Sequence, residues 1–137
     1  MAFIQIPAVK LSMINLKLFI LLLFFTAMPS WADWKEEEIK INYLISEIEH
    51  INGVFIRNGD EHSPQEAAAH IRMKMEKAMN SWFAPEKERW TAEMFIDNIA
   101  SKSSISGKPY RIKLDGGEIL NAGDWLYQKL EFFLQNR

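Results

Sequence analysis

The sequence predicts a mainly α, α+β fold: about four helices packed in one small domain, with a single β-hairpin before the C-terminal helix. Three observations predict it. Apolar residues recur at helical spacing in four segments. Each segment follows a residue type that caps helices, namely Asp33, Ser63, Thr91 and Asn121. Ahead of the fourth segment, apolar and polar residues alternate around Asp115-Gly116-Gly117, a hairpin turn signal.

The chain of 137 residues begins differently. Residues 1–17 are apolar and weakly basic, with Lys10 and Lys17 and no acid. Residues 18–25 are an unbroken apolar run, too short for a comfortable membrane span of about 20 residues. Pro29 follows, then Ser30-Trp31-Ala32, with small residues where a signal peptidase reads. We therefore expect residues 1–32 to be a cleavable secretory signal peptide, cut after Ala32, and residues 33–137 to be a periplasmic single domain without a stable membrane anchor. Met13 opens a more conventional signal of its own and is an alternative start.

Composition excludes several classes. There are 16 Lys+Arg against 18 Asp+Glu, for a net charge of -2, and no cysteine. Loss of Lys10 and Lys17 leaves 14 basic against 18 acidic residues, so residues 33–137 carry -4. A nucleic-acid partner is not expected of such a chain. Disulfides, thiol catalysis and Cys-ligated metals require a residue type it lacks.

The first helix is expected over 34–50. Trp34, Ile41, Leu44, Ile45 and Ile48 form its apolar stripe, and Glu36, Glu37 and Glu38 suit the positive end of its dipole. Ile39 and Tyr43 lie opposite, where another element should cover them. Asn52-Gly53 stops the helix. Val54-Phe55-Ile56 reads as an ordered, loop-like segment with Phe55 buried, and Arg57-Asn58-Gly59-Asp60 as a tight turn.

Ser63-Pro64-Gln65-Glu66 is a capping box with proline at the first helical position. It opens a helix with Ala67, Ala68, Ile71, Met75, Ala78 and Met79 inward, running to about residue 82 or 83 before Pro85. Thr91 opens a third helix with Ala92, Phe95, Ile96, Ile99 and Ala100 inward, ending near Ser101. Residues 101–109 are loop chemistry. Tyr110, Ile112 and Leu114 alternate with Arg111 and Lys113, and residues 118–120 make the return strand. The last helix carries Leu126, Leu130, Phe133 and Leu134 on its stripe. Trp125 and Phe132 lie off it, so we expect that helix to be sandwiched.

Three segments together, Phe55-Ile56-Arg57-Asn58-Gly59, Ala67-Ala68-Ala69-His70-Ile71-Arg72 and residues 101–110, resemble the YfeK-like family of small exported bacterial proteins, a domain of unknown function. The resemblance covers nearly all of residues 33–137. The stretch 81–90 is longer and more aromatic than the family pattern. The resemblance implies a periplasmic protein and assigns no activity and no catalytic residue.

The residues offer two candidate contact loops. Residues 101–113 hold Lys102, Lys108, Arg111 and Lys113 with four serines and no acid, a local positive site for phosphate, carboxylate or an anionic glycan. Arg57-Asn58-Gly59-Asp60-Glu61-His62 adds a mixed-charge turn. We expect a binding surface made of Lys102, Ser106, Lys108, Tyr110, Arg111, Arg57 and Asn58. The bland alternative is a solvated loop whose hydroxyls cap helix three.

The expected function is a non-enzymatic binding or envelope-interaction module, with an envelope protein, a glycan or an anionic small ligand as partner. Two rivals remain. Ser106-Gly107-Lys108-Pro109-Tyr110 is similar to the loop that some periplasmic lysozyme inhibitors insert into a glycosidase cleft, although those inhibitors are β-barrels. A small hydrolase would use His62 or His70 with an acid. No cofactor or metal is expected: His50, His62 and His70 match no zinc spacing, and the phosphate-loop and nucleophile-elbow motifs are absent.

Overall fold

The computed structural model describes residues 33–137; the expected signal peptide lies outside the described residues. Asp33 accepts a hydrogen bond from Lys35 N at 3.1 Å and starts helix α1 (Trp34–Glu49). Its inward stripe is Ile41, Leu44, Ile45 and Ile48, as the spacing predicts. Tyr43, opposite, stacks on Phe133 with ring centroids 4.7 Å apart. Ile39 is not covered and stays exposed.

The sheet is larger than a single hairpin. Strands β1 (Gly53–Arg57), β2 (Asp60–His62), β3 (Arg111–Leu114) and β4 (Ile119–Asn121) form one antiparallel sheet in the order β2-β1-β3-β4. Two hairpins are therefore joined along β1 and β3, with Phe55 opposite Ile112 and Val54 opposite Lys113. Asn58 (φ 54°) and Gly59 (φ 99°) make the β1–β2 turn. Left-handed geometry at both central residues matches the twist of a two-residue hairpin, and Asn-Gly adopts it cheaply. Phe55 and Ile112 face the helices. Glu61, Arg111 and Lys113 face solvent, where Lys113 pairs with Glu61 at 3.0 Å.

Helix α2 (Pro64–Met79) has the full capping box: Glu66 N donates to Ser63 Oγ, and Ser63 N donates to the Glu66 carboxylate. Ala67, Ala68, Ile71 and Met75 are buried against α1, the small alanines permitting close approach. The helix ends at Met79 rather than at 82 or 83. Asn80 N closes on Glu76 O, and Ala84 N then folds back on Ser81 O. Trp82 and Phe83 are consequently left outside any packing, 94% and 91% exposed.

A 3-10 turn (Lys87–Arg89) leads to Trp90, which is buried, and to helix α3 (Ala92–Phe95), capped by Thr91. From Ile96 to Ala100 the helix widens into a π turn, with Ser101 N bonded to Ile96 O five residues back. Phe95, Ile96, Ile99 and Ala100 are all buried in the core, as their spacing predicts. Helix α4 (Ala122–Gln135) is capped by Asn121 and buries Leu126 and Leu130. It is not sandwiched: Tyr127, Phe132 and Leu134 are exposed, because α4 packs on α1 and the π turn on one side only.

The buried apolar residues among the described ones run from Ile41 to Leu130 and form one cluster. Each large side chain buried there contributes about 1.5–3 kcal/mol. Glu37 is an unexpected buried charge, 6% exposed. One oxygen meets Lys40 Nζ at 2.7 Å, and the other accepts from Ala92 N at 2.7 Å, capping α3 from α1.

Candidate functional site

The two sequence-predicted loops meet. Ser106 Oγ donates to Asn58 Oδ1 at 2.8 Å, fixing the 101–110 loop to the β1–β2 turn. The loop is ordered by its own bonds. Tyr110 N bonds Ser101 O at 2.8 Å, Ser103 N bonds Lys108 O at 3.0 Å, and Gly107 N bonds Ser103 O at 3.0 Å. Ser101 Oγ donates to Asp97 O near the helix end, the capping role expected of the bland alternative.

Next to this junction lies a groove of about 910 Å³, walled by α2, the β1–β2 turn, the 101–110 loop and the segment around Pro85. Its apolar lining includes Met73, Ala78, Met94 and Ile105. Its charged lining is Arg57, Lys74 and Lys77 against the single acid Asp60, with His70 beside them. Among the described residues, none of these three cations forms an ion pair with a carboxylate.

Lys74 is the most constrained of them. Its Nζ donates to Ile99 O at 2.7 Å and Lys102 O at 2.5 Å, capping the π turn, and lies over the Tyr110 ring at 5.2 Å. Burial, with Lys102 nearby, pulls its pKa down to about 8. His70 is held below its usual range first by burial and then by Arg57 and Lys74. The groove is thus locally positive in a chain that is acidic overall.

The expected binding residues divide. Arg57 and Asn58 line the groove, and Ser106 ties its rim together. Tyr110 lies in the groove floor, but at 1% exposure it is packed edge-on against Phe55, with ring centroids 5.4 Å apart. The sequence placed it on a contact surface, whereas the structure buries it. Its burial follows from the alternation that puts Tyr110 on the same side as Ile112. Lys102 and Lys108 are exposed on the loop away from the lining, and Arg111 stands on the solvent face of the sheet.

Sequence reasoning missed Lys74, Lys77 and Ile105. Lys74 and Lys77 read as the wet face of α2. The available signal was Met73, an apolar residue off the stripe between Arg72 and Lys74.

His62 and His70 line a smaller cavity of about 180 Å³ with Arg57 and Glu66. Glu66 is occupied by Ser63, and the buried His62 Nε2 has no partner. Among the described residues, no three His, Asp or Glu side chains cluster as metal ligands, and no helix is long and apolar enough to cross a membrane.

Comparison with known proteins gives a family but no activity. The chain is 40% identical over 85 residues to the uncharacterized protein YfeK of Salmonella typhimurium, a match that covers 61% of this chain and 65% of that relative's length. No solved structure matches. Residues 35–133, nearly all of the folded domain, match the model of a family of unknown function, DUF5329, and the chain belongs to that family.

Proposed function

We propose that this is an exported, non-enzymatic binding module of the bacterial envelope, periplasmic once residues 1–32 are removed, which holds an anionic, partly apolar ligand in the groove beside Arg57. Export is supported by the apolar run 18–25 followed by Ser30-Trp31-Ala32. The observation that carries the binding function is the set of three cations, Arg57, Lys74 and Lys77, on an apolar groove without a carboxylate paired to any of them among the described residues. Cations at the edge of low-dielectric walls attract an anion more strongly than the same cations in water. The apolar walls supply the rest of the affinity.

The test uses two fluorescent probes of one shape, anionic anilinonaphthalene sulfonate and neutral phenylnaphthylamine, titrated into the 33–137 protein. Saturable binding of the sulfonate at one site, with at least about tenfold weaker binding of the neutral probe, is expected. Arg57→Glu/Lys77→Glu should abolish the preference while the fold melts normally. Equal binding of both probes, or no effect of the charge reversals, overturns the proposal.

A further inference from the structure

Trp82, Phe83 and Ile105 are the most exposed large hydrophobic side chains among the described residues, at 94%, 91% and 100%. They sit at the tips of two separate segments that border the same groove. Ile105 lies in one wall, and Pro85, two residues past Phe83, lies in another. Scattered exposed apolar residues are ordinary, but two adjacent aromatics with almost no packing are not.

We propose that these three side chains insert into the surface of an anionic lipid bilayer, with Lys102 and Lys108 meeting the headgroups, so that the protein docks reversibly on a membrane. Trp and Phe at a loop tip suit the boundary between headgroups and acyl chains, where an amphipathic indole is favoured. Residues 101–111 hold Lys102, Lys108 and Arg111 and no acid. Cations near a negatively charged leaflet each add to the attraction. The second segment is neutral, since Glu86 and Glu88 alternate with Lys87 and Arg89. It therefore contributes apolar contact while the first contributes charge.

A second copy of the chain would need a set register. A two-fold interface sets each part of the patch against a different part of its copy, so Lys102 and Lys108 would have to meet Glu86 and Glu88. A lipid surface needs no matched shape and accepts two separate tips. Ile105 is shared with the groove wall, but Trp82, Phe83, Lys102 and Lys108 are not part of its lining, so the variants below test the membrane contact apart from the groove ligand.

The experiment is pelleting of the 33–137 protein with phosphatidylcholine vesicles, with and without phosphatidylglycerol. Trp fluorescence is the second readout. We expect binding to the anionic vesicles that weakens as salt rises, with a blue shift from Trp82. Trp82→Ala/Phe83→Ala should lower binding at least about tenfold, and Lys102→Glu/Lys108→Glu should remove the preference for anionic lipid. Thermal melts should stay close to the wild type, since Trp82 and Phe83 are almost fully exposed and Lys102 and Lys108 are exposed. Failure to pellet with either vesicle overturns the proposal, as does wild-type pelleting by the Trp82/Phe83 variant. Self-association of the wild type that the same variant abolishes would give the face to a second copy and equally overturn it.

Discussion

Ser106 Oγ and Asn58 Oδ1 lie 2.8 Å apart and join two loops that are 48 residues apart in the chain. The same hydroxyl accepts from Lys108 N at 3.3 Å, so one serine fixes both the loop's inner turn and its seat on the β1–β2 hairpin. Ser106→Ala should cost about 0.5–1.5 kcal/mol in urea unfolding. Amide exchange should quicken at Gly107 and Lys108 and stay unchanged in α1.

Glu37 predicts a larger loss. Removal of its carboxylate leaves Lys40 with only the longer pair to Glu36 at 3.6 Å, and leaves Ala92 N, a buried donor at the start of α3, without an acceptor. Glu37→Ala should therefore destabilise by about 2–4 kcal/mol, whereas Glu37→Gln, which keeps an acceptor for Ala92 N, should cost roughly half as much. Urea midpoints of the two variants measure the difference.

Gly53 opens β1 opposite Leu114 of β3. A Cβ there would stand 2.2 Å from Lys113 O and 2.8 Å from Leu114 Cα, both backbone atoms that cannot swing aside. Gly53→Ala should cost about 2–3 kcal/mol. It should also weaken amide protection along the β1–β3 pairing before that of the helices.

Lys74 sets a pH dependence. Its pKa is about 8 in the folded protein, against an ordinary 10.5. Between those values the unfolded chain holds the additional proton, so stability should rise with pH across that window and fall to its lower plateau below pH 8. Lys74→Met should flatten that rise in a series of urea melts. Loss of the same proton removes a groove cation, so sulfonate-probe affinity should decline as pH climbs through 8.

The helix starts were legible because each is written in one residue: Asp33, Ser63, Thr91 and Asn121 all cap as their chemistry dictates. The sheet was only half legible. Val54-Phe55-Ile56 is too short to display alternation, and its partner Ile112 lies 57 residues beyond Phe55, a pairing no local pattern encodes. The end of α2 was less legible: Pro85 is the stop signal in the sequence, whereas Asn80 and Ser81 turn the chain before it. The loop's serines and the Arg57 turn were visible as candidates. The groove cations were not, since Lys74 and Lys77 on a helix resemble any solvated face until β1 and the 101–110 loop arrive beside them.

The joining of β1 to β3 also orders assembly in time. Each hairpin can close within a few residues of its turn, and α2 can form from its own capping box. The seam between the hairpins must wait for the chain ends of a long loop to find each other, an entropic delay that grows with separation. Until Ile112 docks on Phe55, that ring and Tyr110 have no shared shelter. A chain interrupted before residue 111 therefore presents an unpaired strand edge and an uncovered aromatic ring, the features by which partly folded proteins aggregate.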